Sequence, residues 1–194
     1  MSTPSEALEE TVKKIYVPDT NVLVFNPFAP YILSGNEIPF EDLKNSYLEA
    51  LARREIEYDR APNDVYVYEV VEKELSNLAH NRDLELSADA RMAQAVLERV
   101  RQTGLEKCKN SETVYAVMEN GAKIYFVHHD EKRFFKKAPF QADNDDRILF
   151  FVEKLKREYG SQKEVILVSQ DRYARSRARD KFCIAQEFRY ENIK

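Results

Sequence analysis

Apolar residues in this chain fall into short blocks of two kinds, and the two kinds alternate. Ile15-Tyr16-Val17, Asp64 to Tyr68 (DVYVY) and Val165 to Val168 (VILV) are brief β-type runs closed by polar residues, the pattern of buried or half-buried strands. Between them the apolar positions recur every three or four residues, which marks one face of a helix. Val71, Leu75 and Leu78 predict a helix over about 69–80. Met92, Val96 and Val100 predict one over 87–103, with Ser87 as N-cap and Gly104 as the stop. Ile148, Val152 and Leu155 predict a third over 143–159, ended by Gly160.

TVYAVM and KIYFV flank Glu119-Asn120-Gly121-Ala122, and Asn-Gly between alternating runs predicts a hairpin over 113–127. Residues 172–181 form a basic helix, and 183–185 a last short strand. Residues 27–40 hold Pro27, Pro30, Pro39, Gly35 and Asn36 and read as a loop. Over 41–60, Leu43, Tyr47, Leu51 and Tyr58 share a helical face. Residues 1–13 read as a lead-in. Strands alternating with helices predict an α/β domain with a mainly parallel central sheet.

With 194 residues, 43% hydrophobic and 33% charged, the chain suits one globular domain. Its net charge of −4 and pI of about 5.6 exclude a globally basic nucleic-acid binder, so any such surface must be local. Cys108 and Cys183 form no CxxC pair and read as free thiols. The polar start carries no apolar signal region, and no apolar run approaches a membrane span. The expectation is a cytoplasmic protein.

The chemistry-bearing pattern is acidic. In an open parallel sheet, sites form at the carboxyl ends of strands, and Asp19 and Asp171 each close a predicted strand. Asp145 opens a helix, and Glu74 lies beside the apolar face of another. Four carboxylates gathered at one sheet edge would repel one another and hold protons unless a hard divalent cation offsets their charge. Each residue also has a plain structural reading. Asn144 and Asp145 could be helix caps, Glu74 an exposed helix charge, and Asp171 the start of a turn.

In chain order these segments resemble the PIN domain family, most closely the PIN domain at the N-terminus of PhoH-like proteins. Tyr16-Val17-Pro18-Asp19-Thr20-Asn21-Val22-Leu23-Val24 is similar to the family's opening strand and Asp-Thr-Asn. Val70 to Leu78 (VVEKELSNL) is similar to the helix bearing its glutamate, and Ala88-Asp89-Ala90-Arg91 to a later helix. Asp143 to Leu149 (DNDDRIL) resembles its Asn-Asp-x-x-Ile-Leu segment. Val165 to Asp171 (VILVSQD) resembles the strand ending in Ser/Thr-x-Asp, and Ala185 to Phe188 (AQEF) the closing strand. The likeness spans about 14–190. It departs at about 29–63, which reads as an inserted helix, and at Pro18, which removes a backbone donor beside Asp19.

The resemblance implies a three-layer α/β/α fold and a metal-dependent endoribonuclease that leaves a 5′-phosphate and a 3′-hydroxyl. It implies Mg²⁺ or Mn²⁺ held by Asp19, Glu74, Asp145 and Asp171, with Asn21 and Ser169 supporting them. PhoH-like proteins add an ATPase domain, but no GxxxxGK[ST] occurs in this sequence. A stand-alone PIN protein, a piece of a longer one, a homo-oligomer and an ATPase partner all stay open.

RNA, expected single-stranded, would meet basic residues. Arg172, Arg175, Arg177, Arg179 and Lys181 crowd behind Asp171. Lys132, Arg133, Lys136 and Lys137 surround Phe134 and Phe135. His80, His128 and His129 read as non-catalytic. The alternatives are a silent PIN-fold RNA-binding or scaffold module and a toxin-type PIN ribonuclease. A 5′-nuclease carries more acids than this chain places, and a haloacid-dehalogenase-like phosphatase needs Asp-x-Asp where this chain has Asp19-Thr20-Asn21.

Overall fold

A computed structural model describes residues 14–38, 61–108, 113–128 and 143–188. The predicted strands form β1 (Lys14–Pro18), β2 (Asp64–Tyr68), β4 (Val114–Val117), β5 (Lys123–Val127), β6 (Glu164–Val168) and β7 (Ile184–Gln186). One strand was not legible in the sequence: β3 (Leu105–Lys107), exposed throughout. It has no buried face, so no periodicity announces it, and pairing with β4 alone defines it.

The seven strands make one sheet in the order β3-β4-β5-β2-β1-β6-β7. From β5 to β7 all pairs are parallel, while β3-β4 and β4-β5 are antiparallel. The sheet is thus mixed, mainly parallel, with helices on both sides. The β4–β5 hairpin turns at Asn120-Gly121, where Gly121 takes a positive φ of 82° and Met118 exchanges hydrogen bonds with Ala122 and Gly121.

Alternation along the strands sends successive side chains to opposite faces. Tyr66 and Tyr68 of β2 face α5 (Asn144–Tyr159), where Tyr68 stacks on Phe151 at 4.6 Å. Tyr125 of β5 stacks on Tyr66 at 4.2 Å on that same side. Phe126 faces the other way, and the Arg101 guanidinium of α4 (Leu84–Gln102) lies 4.1 Å from its ring centroid. Ile15 and Val17 of β1 are fully buried. The core therefore runs along both faces of the central strands.

Local chemistry corrects three boundaries. Asp83, not Ser87, caps α4, accepting from the amides of Glu85 and Leu86. Ser87 is buried one turn in, donating to the Ala79 carbonyl at 2.7 Å. Within the expected loop 27–40, Ala29–Leu33 forms a short helix α2, with Pro30 in its first turn. Proline suits that position because its missing N–H would have no helical partner. Asp19 caps a helix α1 (Thr20–Phe25) directly after β1. The remaining helices are α3 (Glu69–Leu78) and α6 (Arg172–Asp180).

The expected helix over 41–60 and the basic cluster 132–137 lie outside the described residues, as do His129 and the 1–13 lead-in. Where the inserted stretch 29–63 is described at its start, Ala29, Tyr31 and Leu33 are buried in the core.

Candidate active site

Within the sheet β1 has β2 as its neighbour on one side and β6 on the other. The carboxyl ends of β1 and β6 therefore flank the point where strand order reverses, where crevices open in parallel sheets. Asp19 follows β1, and Ser169 and Asp171 follow β6. Glu74 is carried by α3, which leaves the end of β2. Three neighbouring strands thus deliver these residues to one edge. Pro18 is tolerated in central β1 because the β1–β2 register covers only Ile15 and Tyr16 and has ended before it.

Asp19 is 5% exposed. Its Oδ1 accepts from the Thr20 amide at 2.6 Å, and its Oδ2 accepts from Ser169 Oγ at 2.8 Å. Burial pushes its pKa up to about 6. The two hydrogen bonds pull it back only partly, and the charges of Asp145 and Glu74 add to the rise. Asp145 is half-buried and also raised, first by desolvation and then by Asp143, with Asp171 and Glu74 contributing and Arg177 opposing. Asp19 thus feels the charges of Asp145 and Glu74, and Asp145 those of Asp171 and Glu74.

Each carboxylate is held differently. Thr20 Oγ1 donates to Glu74 Oε2 at 2.6 Å, which ties α1 to α3 beside the acids. Asp143 caps α5, accepting from the Asp146 amide, so neither Asn144 nor Asp145 is the cap, and the Asp145 side chain is spared that task. Asp171 caps α6 through Oδ1, which accepts from the Tyr173 amide at 2.6 Å. Ser169 Oγ accepts from the Asp171 amide at 3.0 Å while donating to Asp19, so one hydroxyl spans two acids. Asn21 Oδ1 accepts from the Gln170 amide at 2.9 Å, fixing the loop between Ser169 and Asp171. Thr20 was the residue missed as a sequence candidate; its only signal was its place between Asp19 and Asn21.

The arginines of α6 divide. Arg175 donates to the Ser169 carbonyl at 2.7 Å and pairs with Glu187. Arg179 donates to the Ala185 carbonyl. Arg177 pairs with Asp146, with Asp143 at 3.6 Å and with Asp145 at 3.8 Å. These three tie α6 to the fold. Arg172 is exposed and, among the described residues, takes no ion-pair partner. Elsewhere, His80 Nδ1 lies 2.8 Å from the Ser76 carbonyl, and His128 Nε2 lies 3.7 Å from Glu72. Cys108 and Cys183 are free thiols. None of the described helices is long and apolar enough to cross a membrane.

Among the described residues, no three His, Cys, Asp or Glu side chains form a ready-made metal cage. The donor set is nonetheless one of oxygens around a buried, proton-prone Asp19. That fits a hard divalent cation, which keeps several waters and needs only one or two carboxylates in direct contact.

The mainly parallel sheet with helices on both sides, and acidic residues where its strand order reverses, define the architecture as α/β. A family profile described as PIN domain matches residues 16–189, and the chain belongs to the PIN domain family, generally a fold of metal-dependent nucleases. A similar solved structure is described as a domain of a functionally unknown protein from Methanocaldococcus jannaschii DSM 2661. It is 16% identical, with 93% of this chain and 95% of that chain covered at a TM-score of 0.48. No curated protein matches the chain.

Proposed function

We propose that this chain is a metal-dependent endoribonuclease that hydrolyses phosphodiester bonds of single-stranded RNA, with Asp19, Glu74, Asp145 and Asp171 as its acidic residues. The observation that carries the reading is Asp19, a carboxyl 5% exposed whose pKa is pushed up to about 6 by burial and by Asp145 and Glu74. Like charges gathered in a buried place cost stability, and a cation site gives that cost a use.

Mg²⁺ or Mn²⁺ would be held by Asp19, Glu74, Asp145 and Asp171. Bound there, it would supply charge neutralisation at the phosphate and a lowered pKa for an attacking water. The chain's own residues do the rest. Ser169 and the Thr20 amide orient Asp19, Thr20 Oγ1 orients Glu74, and Asn21 fixes the loop that presents Asp171. Arg177 offsets the charge at the start of α5 and holds α6 against it.

The finer likeness to the PIN domain of PhoH-like proteins rests on the sequence segments from Tyr16 to Phe188, and an ATPase domain or partner would follow from it. The cytoplasmic setting rests instead on the polar first residues and on apolar runs too short for a membrane span. The test is incubation of the purified chain with labelled single-stranded RNA in Mn²⁺, Mg²⁺ or EDTA, beside Asp19→Asn. Metal-dependent cleavage lost in the variant supports the nuclease. Metal binding without cleavage of any RNA favours a silent RNA-binding or scaffold module, and absence of both sinks the four-acid site.

A further inference from the structure

Three of the four arginines expected to meet RNA are spent on the fold, so the surface beside the acids is narrower than the basic run suggests. At the start of α6, Ala174 is buried, Arg175 turns inward, and Arg172 and Tyr173 stand outward. Tyr173 is 78% exposed, and its ring makes no aromatic contact with the described residues. Its amide nevertheless donates to Asp171 Oδ1 at 2.6 Å, so the residue begins one hydrogen bond from a site carboxylate. A large ring left in water at that point has no packing role.

We infer that Arg172 and Tyr173 form the contact that holds a single strand beside the carboxylates, with a base stacked on the Tyr173 ring and a phosphate met by Arg172. The chemistry selects a single strand. A base stacks on an aromatic side chain only when its face is free, and duplex bases have already stacked on each other. One cation and one ring also match a short, sequence-tolerant grip, since every base offers a π face. The inference rests on the ribonuclease reading for its substrate and deepens it by naming where the strand lies. Phe182, 86% exposed and two residues beyond the end of the same helix, provides a control. The helix between them is about 13 Å long at 1.5 Å per residue.

The experiment is fluorescence anisotropy of a labelled oligoadenylate and of a blunt RNA duplex in EDTA, so that binding is read apart from turnover. Tyr173→Ala should weaken single-strand binding by roughly 5- to 140-fold, with Tyr173→Phe restoring it and duplex binding unchanged. Arg172→Gln should reduce the slope of log affinity against log salt by about 0.7, one phosphate contact on a single strand. Single-strand binding indifferent to Tyr173→Ala, an equal loss on duplex or in Phe182→Ala, or no single-strand binding by the parent overturns the inference. Tyr173-dependent binding with no cleavage in any metal sinks the nuclease and leaves this contact standing. Cleavage with binding indifferent to Tyr173 does the reverse.

Discussion

Ser169 Oγ donates to Asp19 Oδ2 at 2.8 Å across 150 residues of sequence. The bond joins the ends of two adjacent parallel strands, and among the described residues Asp19 accepts from this one side chain and from the Thr20 amide. Several consequences at the acidic edge depend on it.

Asp19 should govern the pH dependence of stability in the metal-free protein. Between pH 3.8 and about 6 the folded chain keeps a proton at Asp19 that the unfolded chain has released. Stability therefore falls as pH rises through that window and levels off above it. The rise from 3.8 to about 6 corresponds to about 3 kcal/mol. Asp19→Asn should be more stable than the parent at about pH 8 by up to that amount, and equal to it near the bottom of the window. Urea unfolding at both pH values checks this; equal stability at both would refute the buried-charge account.

Ser169→Ala should raise the Asp19 pKa further, because the lost hydrogen bond favours the charged form. It also leaves the Asp171 amide without the hydroxyl it uses. The expected cost is about 1–3 kcal/mol, with the acidic limb of the pH–rate profile moved to higher pH. An unmoved limb would mean that Asp19 does not set it.

Mn²⁺ should stabilise the folded chain by linkage, by about 2.7 kcal/mol at 100 times its dissociation constant. The gain should vanish in Asp19→Asn and Asp145→Asn. Thermal melts with and without Mn²⁺ read the effect, and a gain of equal size in both variants would place the metal elsewhere.

Lys163 and Asp64 offer a control at the opposite edge of the sheet. Lys163 Nζ pairs with Asp64 Oδ2 at 2.8 Å, where the Asp64 side chain is 2% exposed. Lys163→Met removes this ion pair from a buried carboxylate and should cost about 3 kcal/mol. RNA cleavage by the variant that remains folded should be unchanged. A loss of activity beyond the loss of folded protein would tie the amino edge of the sheet to the site.

Much of this was legible along the chain. The runs Ile15 to Val17 and Val165 to Val168 announce strands because side chains alternate with a period of two. The spacing from Val71 to Leu78 announces a helix because 3.6 residues complete a turn. Asp19 and Asp171 could be placed at strand ends for the same local reason. β3 was hidden because its three exposed residues carry no periodic signal, and Ser87 misled because a cap and a buried hydroxyl on a helix look alike in sequence.

The set of elements and the residues at their ends could be read along the chain, since both follow from local periodicity and backbone preference. The place of β1 between β2 and β6 came from long-range folding alone, since strand pairing joins residues far apart in the chain. That order brings Ser169 to Asp19 and Thr20 to Glu74. It also docks α6 so that Arg175, Arg177 and Arg179 reach carbonyls and carboxylates of the fold while Arg172 and Tyr173 face water. A run of arginines has the same charge whichever way it turns, and the packing of Ala174 and Ala178 against the core set that turn.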